Sequence, residues 1–390
     1  MPHRTVRLAA LLSWLAASLA AGCDAREDAL PCAGAPLAFA DANLEAAVRY
    51  AIGKPDGDLY AEDVAGLTEL DASIRDIVSL EGIQCLASLT AVDLTDDQVV
   101  DVSPLAELRS LSSLDLTANQ VADIAPLADL DAIEVLSLRG NPVGNLSPLA
   151  RLDSLRKLDI SATHTSDLAP LAGLFSLERL DISGNQISDL SPLAGLTALT
   201  SLAAIENQVT DLSPLADLTA LTELFLYENQ VSDLQPLAGL IALTDLRLHS
   251  NQVSDLSGLE ALTSMEFLSL DDNHVSDLTP LAGLTALNVL GLGSNQVSDL
   301  AGLEALTSLG MLYLDDNQVS DLSPLAGVTA LNELFVRNNQ VGDLGPLVEN
   351  PGIGNGDIVA VDDNPIDGKA QGPNIAALCD RGVHLDPYCE

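Results

Sequence analysis

The hydrophobic positions of this chain recur at two alternating intervals. In the stretch from Leu177 to Leu196, Leu180 and Ile182 are two residues apart, which predicts a short strand with both side chains on one face. From Ile187 onward the apolar residues follow at intervals of three, the repeat of the 3₁₀ helix, which proteins use in short pieces. The pattern therefore predicts a strand, a tight turn and a short 3₁₀-like return.

This pattern returns every 22 residues. The phrase "NQISDLSPLAGLTALTSL" begins at Asn185, and Asp97 and Thr163 occupy two places of the same register. A divergent copy without the Asn begins at Leu67, and we count 13 units over residues 67–352. A fixed period in this range indicates a solenoid whose stacked units share one core. The Asn itself stands at Asn119, Asn141, Asn185, Asn207, Asn229, Asn251, Asn273, Asn295, Asn317 and Asn339.

Two polar columns accompany the hydrophobic one. The Asn side chain carries both donors and acceptors where the chain leaves the strand, so we expect it to satisfy buried turn backbone from one coil to the next. The Asp of "SD", as in Asp189 and Asp233, is interpreted as turn and cap chemistry on the outer side, with a calcium ladder as the alternative. Ser191 is expected to cap the 3₁₀ turn, and Pro192 to occupy its first position.

Units of the type "SDLSPLAGLTAL" resemble the 22-residue leucine-rich repeats of internalins, over residues 67–352. The resemblance implies an α/β repeat solenoid, a curved right-handed array with a concave parallel sheet and convex 3₁₀ and turn segments. It also implies protein recognition rather than catalysis. Residues 39–73 resemble the helical N-terminal cap of such proteins, and residues 350–367 resemble their closing segment. Together with the N-terminal segment described next, this gives a predicted organisation of a lipoprotein signal peptide at 1–22, a tether at 23–36, a helical N-terminal cap at 37–66, thirteen repeats at 67–352 and a C-terminal cap at 353–390.

The first residues predict export. "MPHRTVRLAALLSWLAASLAAGC" has two Arg, an apolar run and small residues before Cys23, as in a secretory signal. "LAAGC" resembles a bacterial lipobox, which implies cleavage before Cys23 and its lipidation; a plain signal peptide is the alternative. We expect a lipid-anchored envelope protein, at the outer membrane or cell surface rather than the inner membrane. Asp24 directly after Cys23 is an inner-membrane signal in some Gram-negative bacteria, which leaves the choice of membrane open.

The other four cysteines lie near the two ends, and the interior repeats have none. Export makes disulfides permissible. We predict one bridge between Cys32 and Cys85 at the N-terminal cap, and one between Cys379 and Cys389 at the C-terminal cap. A zinc site is the alternative, but no CxxC or paired His accompanies these cysteines.

Charge narrows the possible partners. The chain has 57 acidic and 16 basic residues, a formal net charge of −41. Nucleic acid and anionic lipid both need basic patches, so nucleic acid is excluded as a partner and membrane contact is expected only through Cys23. The excess of acidic side chains favours cationic partners or divalent ions, and weak calcium binding is one alternative. We interpret most of these side chains as solvated Asp residues of the turns. Asp271-Asp272 and Asp315-Asp316 stand two repeats apart, too far to share one ion.

Catalysis finds no motif. No HExxH, GxSxG, Walker or CxxC sequence occurs, and the histidines are scattered among the repeats. We therefore expect neither an enzyme nor a cofactor.

The residues between the core positions of each strand point outward and form columns. The middle column is acidic from Asp71 to Asp181 and becomes aromatic and mixed after that. Exposed aromatics with Arg and Met are typical of interface hot spots. The alternative is chance variation on a solvated sheet. The predicted partner-binding residues are Phe225, Tyr227, Arg247, His249, Phe267, Met311, Tyr313, Phe335 and Arg337, with Gly291 and Gly293 leaving a shallow depression among them.

Two functions of different class follow. The first is an envelope-anchored module that binds a protein ligand through its concave face, in adhesion or recognition. The second is a structural acidic spacer of the envelope without a specific ligand. Clustering of aromatics in one half of the sheet favours the first, because uniform strand surfaces would be expected of a spacer.

Overall fold

The computed structural model describes residue 32 and residues 34–389. The described chain begins with a small helical cap of α1 (Ala42–Ile52) and α2 (Ala61–Val64). Asp41 starts α1 because its Oδ1 accepts a hydrogen bond from the backbone N–H of Asn43 at 2.8 Å. The other oxygen of Asp41 accepts from the N–H of Val78 at 2.8 Å, so one carboxylate joins the cap to the first repeat.

The repeats form one sheet of 15 parallel strands, three residues each, in chain order. Neighbouring strands pair in a register of 22 residues, for example Leu180 with Leu202, until Glu333 pairs with Ile358. The strands are β1 Glu69–Asp71, β2 Ala91–Asp93, β3 Ser113–Asp115, β4 Val135–Ser137, β5 Lys157–Asp159, β6 Arg179–Asp181, β7 Ser201–Ala203, β8 Glu223–Phe225, β9 Asp245–Arg247, β10 Phe267–Ser269, β11 Val289–Gly291, β12 Met311–Tyr313, β13 Glu333–Phe335, β14 Ile358–Ala360 and β15 His384–Asp386.

Ten of the thirteen returns contain a short 3₁₀ helix, as the interval of three predicts. Their leucines, such as Leu190, Leu193 and Leu196, are buried together with the central residue of each strand in one continuous core. Burying a Leu side chain contributes about 1.5–3 kcal/mol, and a single unit has no partner for that face, so the units are stable only when stacked. The 3₁₀ helices span Ile83–Cys85, Ser103–Glu107, Ala125–Leu127, Ser147–Arg151, Ala169–Leu171, Ser191–Leu193, Ser213–Leu215, Gln235–Leu237, Thr279–Gly283 and Ser323–Gly327.

The Asn column links successive coils, which confirms its predicted role. In Asn251 the Nδ2 group donates to the carbonyl of Leu248 in its own coil at 3.0 Å, and to that of Leu226 in the preceding coil at 2.9 Å. Its Oδ1 accepts from the backbone N–H of Val231 at 2.9 Å. Because the amide is buried, these bonds replace the water that the turn backbone would otherwise need.

The Asp column performs the predicted turn chemistry, but the cap was assigned to the wrong residue. Asp189 Oδ1 accepts from the backbone N–H of Ser191 at 2.8 Å, and Ser191 makes no capping hydrogen bond of its own. The hydrogen bond from the Ser191 N–H holds the pKa of Asp189 below its ordinary value. The reason is geometric: Ser191 is already inside the 3₁₀ turn, where its N–H is one of the unsatisfied donors.

Two interior repeats have Gly in place of the turn proline. Gly258 and Gly302 both adopt φ +104°, and each donates its N–H at 2.7 Å to the carboxylate two residues later, Glu260 or Glu304. Proline has no N–H to offer, so the glycine and the acid occur together. A Cβ on Gly258 would lie 2.4 Å from the carbonyl oxygen of Leu234, so this position accepts only glycine.

The two departures from the Asn column behave differently. Thr163 is fully buried, and its hydroxyl donates to the carbonyl of Ile160 at 2.7 Å. Asp97 accepts from the N–H groups of Arg75 and Ile77 through Oδ1, at 3.0 and 2.9 Å. Its Oδ2 is buried and has no hydrogen-bond partner among the described residues. Burial raises the pKa of the Asp97 carboxyl above its ordinary value.

The C-terminal end extends the sheet beyond the 13 predicted strands. After α3 (Gly345–Glu349), β14 and β15 continue the stacking on either side of α4 (Gly372–Asp380). The offsets in register from β13 to β14 and from β14 to β15 differ from 22, which hid both strands from a search for that period. No helix of the described chain is both long and apolar enough to span a membrane.

Both predicted cysteine pairs are joined in the structure. Cys32 and Cys85 form a disulfide with their Cα atoms 5.6 Å apart, and Cys379 and Cys389 form one with a Cα separation of 6.0 Å. These separations are usual for disulfides. The predicted lipidation residue, Cys23, lies outside the described residues.

Candidate protein-binding surface

The register of the sheet fixes which outward side chains become neighbours. Phe225 pairs with Arg247, and Tyr313 pairs with Phe335, so residues 22 apart stand side by side on the concave face. All nine predicted binding residues lie on this face and are partly buried, because they pack against one another. The C-terminal half of the face, from β8 to β13, is called the aromatic half below.

The first cluster of the aromatic half lies on β8 to β10. The guanidinium of Arg247 lies between two rings, 5.0 Å from the centroid of Phe225 and 4.6 Å from that of Phe267. The same guanidinium donates to both oxygens of Asp245, at 3.0 and 2.9 Å, which fixes its plane. Hydrogen bonding to Asp245 also raises the pKa of Arg247.

One column further along, the rings of Tyr227 and His249 stack with centroids 4.1 Å apart and planes 16° from parallel. Stacking orients both rings, and His249 Nδ1 also contacts the Ser269 hydroxyl at 3.3 Å, which leaves the Tyr227 hydroxyl and the other ring nitrogen of His249 available to a partner. Together with the Arg247 cluster, this pair gives the aromatic half a rigid, amphipathic beginning.

The second cluster lies on β12 and β13. Tyr313 and Phe335 stack at 5.1 Å with planes 8° apart, and the guanidinium of Arg337 lies 5.1 Å from the Phe335 centroid. Met311 Sδ is 3.8 Å from the Tyr313 hydroxyl, which also donates to Glu333 at 3.4 Å. Burial first, and then the charge of Glu333, raises the pKa of Tyr313, so the phenol stays neutral.

A cavity of about 470 Å³ separates the two clusters. It lies where the sequence predicts a depression, because Gly291 and Gly293 contribute no side chain to the concave face. Phe267 bounds it on one side and Tyr313 on the other, and Asp271 reaches into the space above the glycines. The two clusters and this cavity form one continuous surface.

The N-terminal half of the concave face is less uniformly acidic than its Asp column indicates. Three basic residues, Arg139, Lys157 and Arg179, line a shallow cavity of about 670 Å³ together with Asp159 and Asp181. Burial raises the pKa of Asp159, partly offset by hydrogen bonds from Ser161. Sequence reasoning missed these cations because, in this half of the face, it followed only the middle column, whereas they stand in the two columns beside it.

The acidic pairs considered for calcium hold backbone instead. Asp271 Oδ1 accepts from the N–H of Gly293, and Asp315 Oδ1 from that of Arg337, at 2.8 and 2.7 Å. Burial raises the pKa of Asp315, and the Arg337 N–H opposes that rise. Over residues 34–389 no group of three or more His, Cys, Asp or Glu side chains is arranged to hold a metal ion.

Comparisons with known proteins agree with this architecture. The model of the family described as Leucine Rich repeats (2 copies) matches residues 176–217, 219–264, 241–283, 263–305 and 285–327. An internalin (InlF) from Listeria monocytogenes is 33% identical with a TM-score of 0.79, covering 83% of this chain and 95% of the internalin. A leucine-rich-repeat protein of Leptospira interrogans shares the fold at 22% identity and a TM-score of 0.69, covering 84% of this chain and 97% of its own.

A more distant structure has the same fold. The leucine-rich-repeat ectodomain of a membrane receptor kinase from Arabidopsis thaliana, solved in complex with CASPARIAN STRIP INTEGRITY FACTOR 2, is 22% identical with a TM-score of 0.63. The alignment covers 78% of this chain and 43% of the receptor. No curated protein sequence matches the chain.

The chain belongs to the leucine-rich-repeat family, with repeats of the internalin type. Its 15-stranded sheet is the concave side of the solenoid, and the short 3₁₀ turns form the convex side. Leucine-rich-repeat proteins of the internalin and receptor types are generally protein-binding modules, and their fold is not typically enzymatic.

Proposed function

We propose that this chain is an envelope-anchored recognition protein that binds a protein ligand with the aromatic half of its concave face. The observation that carries the proposal is the pair of ring and guanidinium clusters on β8–β10 and β12–β13. Rings and guanidinium groups that are already held by stacking lose little freedom when a partner binds, which is how hot-spot residues contribute affinity.

The size of the surface fits a protein partner. A standard interface takes about 800 Å² and 20–30 residues from each side. Six strands with three or four outward residues each supply that number. The N-terminal half carries acid and base side by side, so we expect it to orient a partner and to influence association rates in a salt-dependent way.

Binding is tested with the chain from residue 24, which contains every described residue. It is used to capture surface proteins of candidate partners, and each captured protein is then titrated against variants. Phe225→Ala and Tyr313→Ala should each weaken binding by about 2 kcal/mol. Asp93→Ala should cost much less and mainly slow association.

The matched control is Asp233→Ala on the convex side. If the two aromatic variants bind as tightly as the unchanged chain while Asp233→Ala binds poorly, the convex side is the working surface and the proposal is wrong. If no titrated partner distinguishes any of these variants, the alternative of an acidic envelope spacer without a specific ligand is favoured.

The anchor is a separate part of the proposal, supported by "LAAGC" at residues 19–23. Acylation of Cys23 would hold the protein at the outer membrane or cell surface, since each buried CH₂ contributes about 0.8 kcal/mol. Cells labelled with a fatty-acid analogue should incorporate it into the unchanged protein and not into Cys23→Ser. Equal labelling and equal partitioning into detergent would remove the anchor.

A further inference from the structure

The cavity between the two aromatic clusters, called the Gly291 pocket below, has walls and an end of different chemistry. Its lining is mostly apolar: Phe267 stands on one side, Met311 and Tyr313 on the other, and Val289 of the central strand lies between them. Its polar groups include the carboxylates of Asp271 and Asp315, which stand two residues after the middle column of the concave face. A ligand that fits must therefore be apolar along its length and polar where it meets the carboxylates.

The pocket exists because residue 291 is Gly and the side chain of Asp271 lies above it instead. A Cβ on Gly291 would lie 2.3 Å from Asp271 Oδ2, so the Asp271 carboxylate occupies the space that a residue 291 side chain would fill. The carboxylate is held there by the N–H of Gly293 on Oδ1 and by the hydroxyl of Ser269 on Oδ2, both at 2.8 Å. It is thus oriented before any ligand arrives.

Charge around the pocket is negative. Asp271 has no basic side chain within 4 Å in the described part of the chain. Asp315 shares the single guanidinium of Arg337 with two other carboxylates, Asp362 and Asp386, at distances of 3.3 to 3.8 Å. One cation among three anions leaves that group negative, and Asp271 adds to it.

We propose that the Gly291 pocket receives a lysine side chain presented by the protein partner. Its four methylenes lie between the Phe267 and Tyr313 walls, and its ammonium reaches the Asp271 carboxylate, where neighbouring rings also favour a cation. Lysine fits better than arginine because Oδ1 and Oδ2 of Asp271 each already accept one hydrogen bond. A point charge can use a remaining lone pair, whereas a guanidinium needs both oxygens side by side. This inference rests on the proposed function and deepens it.

The test uses small probes rather than an unidentified partner. The chain has five Tyr, so labelling with fluorotyrosine gives a simple ¹⁹F spectrum in which Tyr313→Phe assigns the signal of the pocket. Nα-acetyl-lysine amide is compared with the norleucine and arginine analogues. The lysine probe should shift the Tyr313 signal saturably, and norleucine should bind about tenfold more weakly, since it lacks the charge.

Variants separate the charge from the shape of the pocket. Asp271→Asn keeps the hydrogen bond from Gly293 and should weaken the lysine probe about tenfold without changing norleucine. Gly291→Ala should exclude both probes, whereas Gly342→Ala, where a Cβ meets nothing within 4 Å, should exclude neither. Equal binding of lysine and norleucine, tighter binding of arginine, or an unchanged lysine titration in Asp271→Asn would each overturn the proposal.

The outcome is distinguishable from failure of the proposed function. If a partner is lost in Phe225→Ala but the lysine probe does not shift Tyr313, the concave face still binds protein and the lysine assignment is wrong. If the probe binds as described but no partner depends on Phe225, the pocket assignment stands and the recognition role on the aromatic half fails.

Discussion

Replacing Asp97 by Asn should stabilise this protein, although it removes a native residue from the core. Asp97 occupies an Asn place of the repeat, and its Oδ2 is buried without a partner among the described residues. The equivalent atom in Asn119 is an amide nitrogen that donates to the carbonyls of Leu94 and Leu116, at 2.7 and 3.1 Å. An Asn at position 97 would place its amide against the carbonyls of Ala72 and Leu94 in the same way.

The magnitude follows from what changes. Two neutral hydrogen bonds are gained, at about 0.5–1.5 kcal/mol each, and a buried unpaired oxygen is removed. Against this, the N–H groups of Arg75 and Ile77 lose a charged acceptor and keep a neutral one. We expect a net gain of about 2 kcal/mol at neutral pH.

The gain should depend on pH in a defined direction. Burial raises the pKa of Asp97 in the folded chain, and the nearby charges of Asp76 and Asp41 act in the same sense. A carboxyl group whose pKa is raised by folding has no effect on stability below its unfolded pKa of about 3.9. Its destabilising effect grows as pH rises above that value and is complete above the folded pKa. The advantage of Asp97→Asn should therefore be present at pH 7 and decline as pH falls through the folded pKa.

Urea unfolding followed by circular dichroism at several pH values measures this difference. Asp96→Asn is the control for net charge, since Asp96 is the exposed neighbour. Asn119→Asp is the reciprocal change, and it should destabilise the chain at pH 7 and less so in acid. The reasoning is refuted if Asp97→Asn is neutral or destabilising at pH 7, or if its effect is the same at every pH.

Three further predictions concern the repeats and caps. Gly258→Ala should cost about 2–4 kcal/mol in urea unfolding, because its positive φ and the neighbouring carbonyl both oppose a Cβ, whereas Gly342→Ala should change stability little. Asn251→Ala should cost about 3 kcal/mol, since four backbone groups lose their partner; a loss under 1 kcal/mol would mean that water replaces the amide. Mass spectrometry of unreduced peptides should find the two cap disulfides, and links between opposite ends would contradict the stacking.

The repeat itself was predictable because the spacing of individual residue types determines it. Leucine at two intervals gave the strand and the 3₁₀ return, and the position of Asn gave the ladder between coils. The aromatic half was predictable for the same reason, since a 22-residue register places Phe225 beside Arg247 and Tyr313 beside Phe335.

The spacing could not predict features that depend on side-chain or backbone conformation, or features that interrupt the 22-residue period. Stacking of Arg247 between two rings depends on rotamers, and the bond from Gly258 to Glu260 depends on a positive φ. The last two strands lie at other intervals, so a search for 22 misses them. Only the structure shows that Oδ2 of Asp97 is buried without a hydrogen-bond partner among the described residues.

The Asn ladder makes the length of this protein adjustable. Each amide bonds only within its own coil and to the coil before it, as Asn251 does with Leu248 and Leu226. Adding or deleting one whole 22-residue unit in the interior therefore leaves every ladder bond with an equivalent partner. Such a change would shift the aromatic half nearer to or farther from the N-terminal end by about 4.8 Å, one strand spacing. Gain or loss of whole units would thus change the length of the solenoid in fixed steps, without altering the outward side chains of the units that remain.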